Sequence, residues 1–384
     1  MISVAISWQI YELTKRPLDL GLIGLAQFLP IAGFSLIGGQ VADRKDRRTI
    51  LLFCYLLMAL CAFTFFVLSY HGKMSTFLVY SLLFLTGTIR AFWGPANQSF
   101  LPLLVSNDFF PKAAAWNTSS WQLAMILGPS LGGVIYGMSG KPWLVHGTSF
   151  LMILGAFCST YAIAQRTRKL EQSPLSWKTT LVGIRYVWSE KVILGANSLD
   201  LFAVLLGGVI ALLPAYASDI LKVGPLGYGL LKSSQGIGAT VSGVVLGLRP
   251  IERNIGVKLF GAVIGFGLFT ILFGISKNFY LSFICLMLLG GLDMISVVAR
   301  HSISQLRTPH EMRGRVSAVT IVFISASNEL GEFESGITAQ WFGLVPAVIV
   351  GGVGTCVITL LWIYLFPELR RLDRFVEKEY VSER

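Results

Sequence analysis

The stretch Gly39-Gln40-Val41-Ala42-Asp43-Arg44-Lys45-Asp46-Arg47-Arg48 sets six charged residues between two apolar runs, Gly21–Gly38 and Ile50–Ser69. Each run has about the 20 residues that a helix needs to cross a bilayer. A water-soluble chain gains nothing from such an arrangement. A membrane chain uses it as a turn on the cytoplasmic side, where lysine and arginine are held. The stretch therefore predicts a membrane-embedded, all-α protein and also predicts its orientation.

The rest of the chain reads the same way. Apolar residues make up 54% and charged residues 13%, about half the roughly 25% usual in soluble proteins, and mean hydropathy is +0.68. The net charge of +11 is spread over short loops, which fits positive-inside topology and not a phosphate-binding groove. No nucleic-acid partner is expected. The five cysteines (Cys54, Cys61, Cys158, Cys285, Cys356) lie in apolar runs without CxxC spacing and read as small buried hydrophobes. The four histidines are isolated, so no metal site or other cofactor is expected. No Walker-type phosphate loop occurs, which argues against ATP-driven transport within this chain.

Hydrophobic runs fall at about 20–42, 50–70, 75–104, 113–138, 142–164, 192–214, 226–248, 256–275, 279–300, 315–342 and 345–366. Glycine and proline interrupt many of them, as membrane helices tolerate. Met1–Leu13 is apolar but too short to cross, and it lacks the basic start of a signal peptide. It reads as the outer half of a twelfth, truncated first helix. The predicted organisation is an N-terminal bundle over 1–165, a cytoplasmic linker over 166–191, a C-terminal six-helix bundle over 192–366 and a cytoplasmic tail over 367–384.

Charge fixes the expected topology. With Asp43–Arg48 inside, the cytoplasmic segments are Asp108–Lys112, Arg166–Lys191, Arg249–Lys258, Arg300–Arg315 and the tail. Twenty-three of the 31 lysines and arginines fall in these segments and six in the intervening loops, with Arg90 and Lys232 inside spans. Such asymmetry predicts a cytoplasmic C-terminus. A polar linker between two membrane bundles is the plan of parallel-repeat transporters.

Gly39, Asp43, Arg44, Arg47 and Arg48 resemble the loop motif of the major facilitator superfamily. The resemblance implies that this turn latches a cytoplasmic gate, its acid meeting the N-terminus of the eleventh helix, where an anion is favoured. Asp46 stands where the family usually has glycine. Arg90-xxx-Gly94 looks like the family's RxxxG motif. An arginine at mid-depth is costly without water or a partner, and Asn97 is one candidate neighbour. Gly128-Pro129-xx-Gly132-Gly133 resembles the core of the superfamily's antiporter motif, although Ala124 and Ser120 replace common glycines upstream. Small residues there let helices approach closely, and Pro129 loosens the backbone.

Three blocks in the second half are similar to the enterobactin-exporter-like, transmembrane secretion effector branch. They are Leu199–Gly208 followed by Leu213-Pro214, Thr308–Val316, and Ala326–Gly336. The similarity runs over essentially the whole chain. It implies two six-helix bundles that alternate access across a bacterial inner membrane. The segment Arg249–Lys258 lacks the acid–arginine spacing of the first loop, so the repeat is degenerate there.

The intramembrane acids can be read without the family. Glu329 and Glu332 are three apart and share a helix face, while Glu334 turns away. Asp200 and Asp293 lie near mid-depth. Such acids are expensive and by default functional. They suit reversible protonation, a structural hydrogen-bonding role across a helix interface, or substrate binding. Lys232, near the outer end of its helix, is expected to snorkel. Trp93, Trp116 and Trp121 could line a cavity for a flat ligand or anchor at the membrane interface.

The expectation is a secondary transporter, not an enzyme, that exports a small amphipathic molecule of siderophore or drug class in exchange for protons. Arg90, Asp200 and Asp293 are assigned to the transport pathway, Glu329 and Glu332 to proton coupling. Gly39, Asp43, Arg44, Arg47 and Arg48 are assigned to the inner gate, Gly128, Pro129, Gly132 and Gly133 to the packing seam. A small-molecule substrate, protons and the bilayer are the expected partners of a monomer. An importer of the same fold, a membrane scaffold or sensor, and an inactive truncated carrier are the alternatives.

Overall fold

A computed structural model describes residues 1–106, 109–163, 184–309 and 312–375. The expected linker lies mostly outside these residues, as do Asp108, the end of the tail from 376, and His310 and Glu311 of the Thr308–Val316 block.

The described residues form α1 (Ile2–Thr14) and eleven longer helices. These are α2 (Pro17–Arg44), α3 (Arg47–Tyr70), α4 (Thr76–Leu104), α5 (Phe110–Ser139), α6 (Pro142–Ala162) and α7 (Lys191–Gly207), followed by α8 (Gly224–Leu248), α9 (Ile255–Ile275), α10 (Phe279–Leu306), α11 (Arg313–Phe342) and α12 (Leu344–Leu365). Among the described residues, eight helices are long and apolar enough to cross a membrane. The helices α5, α8 and α11 are not among them; α11 carries Glu329, Glu332 and Glu334.

Local chemistry sets the helix ends. Pro17 and Pro142 sit in the first turns of α2 and α6, where the missing N–H costs nothing. The side chains of Ser75 and Asn278 accept backbone N–H groups at the starts of α4 and α10, donors that would otherwise be orphaned. Gly140 closes α5 at φ 63°, a left-handed conformation natural to glycine. After α7 the path breaks at Gly208 into a 3₁₀ turn, Val209–Leu212, and reaches a π turn at Tyr216–Ile220.

The chain divides into two compact units, Met1–Pro174 with Leu212–Ser233, and Leu175–Ala211 with Ser234–Arg384. Leu212–Ser233, placed by the sequence in the C-terminal bundle, groups with the first unit. The reason is local. Tyr11 of α1 donates to Asp219 Oδ2 at 2.5 Å, and Ser233 Oγ donates to the Ile126 carbonyl of α5 at 2.8 Å. The second unit is built around Ile193, Leu199, Ile255, Leu259 and Ile303, all with 0% exposure.

Candidate transport site

Each unit carries one conspicuous intramembrane arginine, in opposite electrostatic settings. In the first, Arg90 of α4 is exposed to a cavity and its Nη1 donates to Gln27 Oε1 of α2 at 3.1 Å. Gln27, not Asn97, is the partner. In the second unit, Arg300 of α10 is buried and its Nη1 lies 2.7 Å from Asp200 Oδ2 of α7. Its Nε donates to Ser296 Oγ at 3.2 Å. Asp200, Asp293 and Ser296 line one small cavity together with Phe266 and Leu292. Asp200 and Asp293 are thus brought together, with Arg300 as the paired cation.

Arg300 is the buried cation of this cluster that sequence reasoning missed. It was counted among the cytoplasmic loop cations, but α10 continues through Leu306 and buries it. The available signal was spacing: Asp293, Ser296 and Arg300 stand at i, i+3 and i+7, one face of a helix.

Glu329 and Glu332 are half-buried on α11. Between them, Gly331 meets α7 so closely that a Cβ would lie 2.8 Å from the Val204 carbonyl oxygen. Glu334 accepts a hydrogen bond from Thr338 Oγ1 at 2.7 Å on its own helix.

The α5 glycines sit on a tight seam within the first unit. A Cβ at Gly132 would lie 3.1 Å from Met1 backbone atoms, and one at Gly133 2.8 Å from Gly229 Cα. Ser130 donates to Ser233 Oγ across the same seam at 2.7 Å. In the charged turn, Arg47 is buried and donates to the carbonyls of Ala42 at 3.3 Å and Ser99 at 3.1 Å. Arg48 donates to the Thr160 carbonyl at 3.2 Å and to that of Tyr161, capping the last turn of α6 where carbonyls lack helical partners. Asp46 caps α3, accepting from Thr49 N at 3.0 Å and Thr49 Oγ1 at 2.8 Å. Arg44 is exposed. The Asp43 side chain lies outside the description.

The remaining side chains singled out in the sequence differ in exposure. Trp116 and Trp121 are 69% and 59% exposed, whereas Trp93 buries its indole Nε1 without a hydrogen-bond partner. Cys158 is exposed rather than buried, and Cys356 is only partly covered, its Sγ set against the Ile264 carbonyl of α9 at 3.8 Å. Lys232 Nζ sits 5.9 Å from the Tyr228 ring centroid. A polar network at α1 was also unread: Gln9 Oε1 lies 2.7 Å from His146 Nε2, while Glu12 accepts from Trp8 at 2.6 Å and Tyr136 at 2.9 Å.

Residues 1–380 match the family model described as transmembrane secretion effector. The chain belongs to that family of major facilitator transporters. It is 26% identical to the enterobactin exporter EntS of Citrobacter koseri, covering 97% of this chain and 89% of the relative. It is 23% identical to macrolide efflux protein A of Streptococcus pyogenes, covering 97% and 93%. Among solved structures, the nucleoside transporter NupG superposes with a TM-score of 0.72 at 13% identity, covering 95% of both chains. A bacterial homologue of the human lysosomal transporter Spinster, in an inward-facing occupied conformation, gives 0.72 at 13%, covering 97% and 94%. These likenesses establish the major facilitator fold. The protein is a multi-pass membrane transporter and not an enzyme.

Proposed function

We propose that this transporter expels a small amphipathic molecule of siderophore or drug class from the cytoplasm in exchange for protons. The observation that carries the direction is its similarity, over nearly the whole chain, to two efflux proteins with unlike cargo. The resemblance of Gly128, Pro129, Gly132 and Gly133 to the core of the superfamily's antiporter motif supports export as well.

In this reading Glu329 and Glu332 carry the coupling protons, while Arg90, Asp200 and Asp293 line the pathway. Half-burial of two acids on one face of α11 supports the first assignment. Gly39, Asp43, Arg44, Arg47 and Arg48 form the inner gate, with Arg47 and Arg48 holding the turn onto α4 and α6. The two bundles join through a cytoplasmic linker at 166–191. The carrier works as a monomer in a bacterial plasma membrane with its C-terminus inside, an orientation supported by the distribution of lysine and arginine.

The test is proton-coupled flux in respiration-energised everted vesicles, read with a pH-sensitive dye. The panel contains a catecholate siderophore, a macrolide and a lipophilic cation. Dequenching on addition of one compound, absent in Glu329→Gln, is expected. Uptake driven in the opposite sense would make the protein an importer, and full flux in Glu329→Gln would return that residue to a structural role.

A further inference from the structure

The first unit holds a cavity of about 270 Å³, near the lower end of the roughly 300–1,000 Å³ usual for small-molecule sites. Its walls are mainly apolar, with Ile6, Phe65 and Leu83 among them, and Ser7, Gln27 and Thr86 add neutral polar groups. Among the described residues that line it, Arg90 alone carries a charge. Its guanidinium meets only the amide oxygen of Gln27 in the hydrogen bonds of this site. An arginine has five N–H groups to satisfy, and this one stands among mainly apolar walls.

Arg90 lies midway along α4, between Thr76 and Leu104. A helix of this length spans about 43 Å at 1.5 Å per residue, so its middle is far from either layer of lipid headgroups. A lipid phosphate therefore does not neutralise Arg90 at this depth. The contrast with the second unit is direct: Arg300 has Asp200 at 2.7 Å.

We propose that this cavity is a subsite for the acidic, ring-sized end of the cargo, with Arg90 binding a carboxylate or ionised phenol and the apolar walls taking the ring. The inference rests on the transport function and narrows its substrate class to anionic over cationic amphipaths. Bidentate pairing of a carboxylate with guanidinium supplies both the missing counter-charge and orientation. Gln27 holds the guanidinium in place from α2, and Ser7 can donate to a second oxygen of the ligand.

The experiment measures binding, not flux, so its failure is distinguishable from failure of the export reading. The full chain is placed in nanodiscs of purely zwitterionic lipid, with 1-naphthoate, 1-naphthamide and 1-naphthylmethylammonium as isosteric probes in equilibrium dialysis. Naphthoate should bind tighter than naphthamide by about ten- to a hundredfold, the usual range for a hydrogen bond to a charged group, and the ammonium should bind weakest. Arg90→Gln should abolish this preference while Arg90→Lys keeps most of it. Equal affinities, preference for the ammonium, no binding of naphthoate, or an undiminished preference in a folded Arg90→Gln would each overturn the proposal. If Arg90→Gln does not fold, Gln27→Ala decides instead: it should weaken naphthoate binding severalfold and leave naphthamide unchanged, and equal loss for both probes would overturn the proposal.

Discussion

Replacing Asp200 with asparagine should destabilise the second unit by about 3–5 kcal/mol, the usual cost of removing one partner from a buried pair. The geometry sets the size. Arg300 Nη1 and Asp200 Oδ2 are 2.7 Å apart, with side-chain exposures of 5% and 8%. At an effective dielectric of 20 their attraction is about 6 kcal/mol. Desolvation of the two ions costs several kcal/mol each, so the intact pair contributes little net stability. The loss comes from what Asp200→Asn leaves behind, a buried guanidinium without its adjacent counter-charge. Asp293 on the same cavity can offset part of this, which favours the lower end of the range. The assay is reversible unfolding in mixed micelles titrated with dodecyl sulfate, followed by tryptophan fluorescence. Trp362 is a local reporter, since its Nε1 donates to Ser198 Oγ at 3.0 Å and its ring packs on Phe202 at 5.3 Å. An Asp200→Asn/Arg300→Gln double variant should recover most of the loss, because it removes the orphaned charge together with its partner. The reasoning is refuted if Asp200→Asn lies within about 1 kcal/mol of the parent, or if the double variant is no more stable than the single one.

Gly331→Ala should cost about 1–3 kcal/mol in the same titration, the usual price of overpacking, because the new methyl would meet the Val204 carbonyl at 2.8 Å; unchanged stability would mean that α7 and α11 separate freely there. Asp46→Ala should lose about 1 kcal/mol by uncapping α3, whereas Asp46→Gly should lose only a few tenths, and an equal loss in both would remove the capping account. Tyr11→Phe deletes the hydrogen bond to Asp219 and should cost about 1.5–3 kcal/mol, as for a bond to a charged group; no change in unfolding midpoint would say that the link is cosmetic. Burial first, and Glu190 second, push the Tyr186 phenol above the ordinary tyrosine value, with Arg307 opposing. The raised folded value means that its contribution to stability is complete below the unfolded pKa and fades as pH rises through the folded one. Ultraviolet titration of parent against Tyr186→Phe should show that phenol ionising after the exposed tyrosines, and early ionisation would contradict the assignment.

The fold was legible because membrane helices announce themselves by length, apolarity and flanking cations. The eleven long helices follow the eleven hydrophobic runs within a few residues at most ends. Helix termini were harder. The run read as ending at residue 300 extends to Leu306, because Arg300 is buried by pairing, an event that hydropathy registers only as polarity. For the same reason Leu212–Ser233 could not be assigned to the first unit. Its grouping depends on Tyr11 with Asp219 and on Ser233 with Ile126, contacts between residues far apart in sequence. Individual motif residues were legible as types but not as partners: Arg90 binds Gln27, and Asp46 caps α3 where glycine was the family expectation.

The two intramembrane arginines explain why motif reading stopped where it did. Both are expensive where they stand, but the sequence pattern registers that cost for Arg90 alone, since Arg300 lies at the end of its hydrophobic run. Their difference lies in what α7 and α2 bring to them. Asp200 pairs with Arg300 beside a cavity of small capacity, so the cation of that cluster already has a partner. Gln27 is neutral, so Arg90 keeps its full charge beside the larger cavity of the first unit. Exchanging that property tests the contrast directly. Gln27→Glu should give Arg90 an internal partner, remove the preference for 1-naphthoate by competition, and leave naphthamide binding within about twofold, since no neutral contact is lost. Retention of the anion preference in Gln27→Glu would show that the charge of Arg90 is not what selects the ligand.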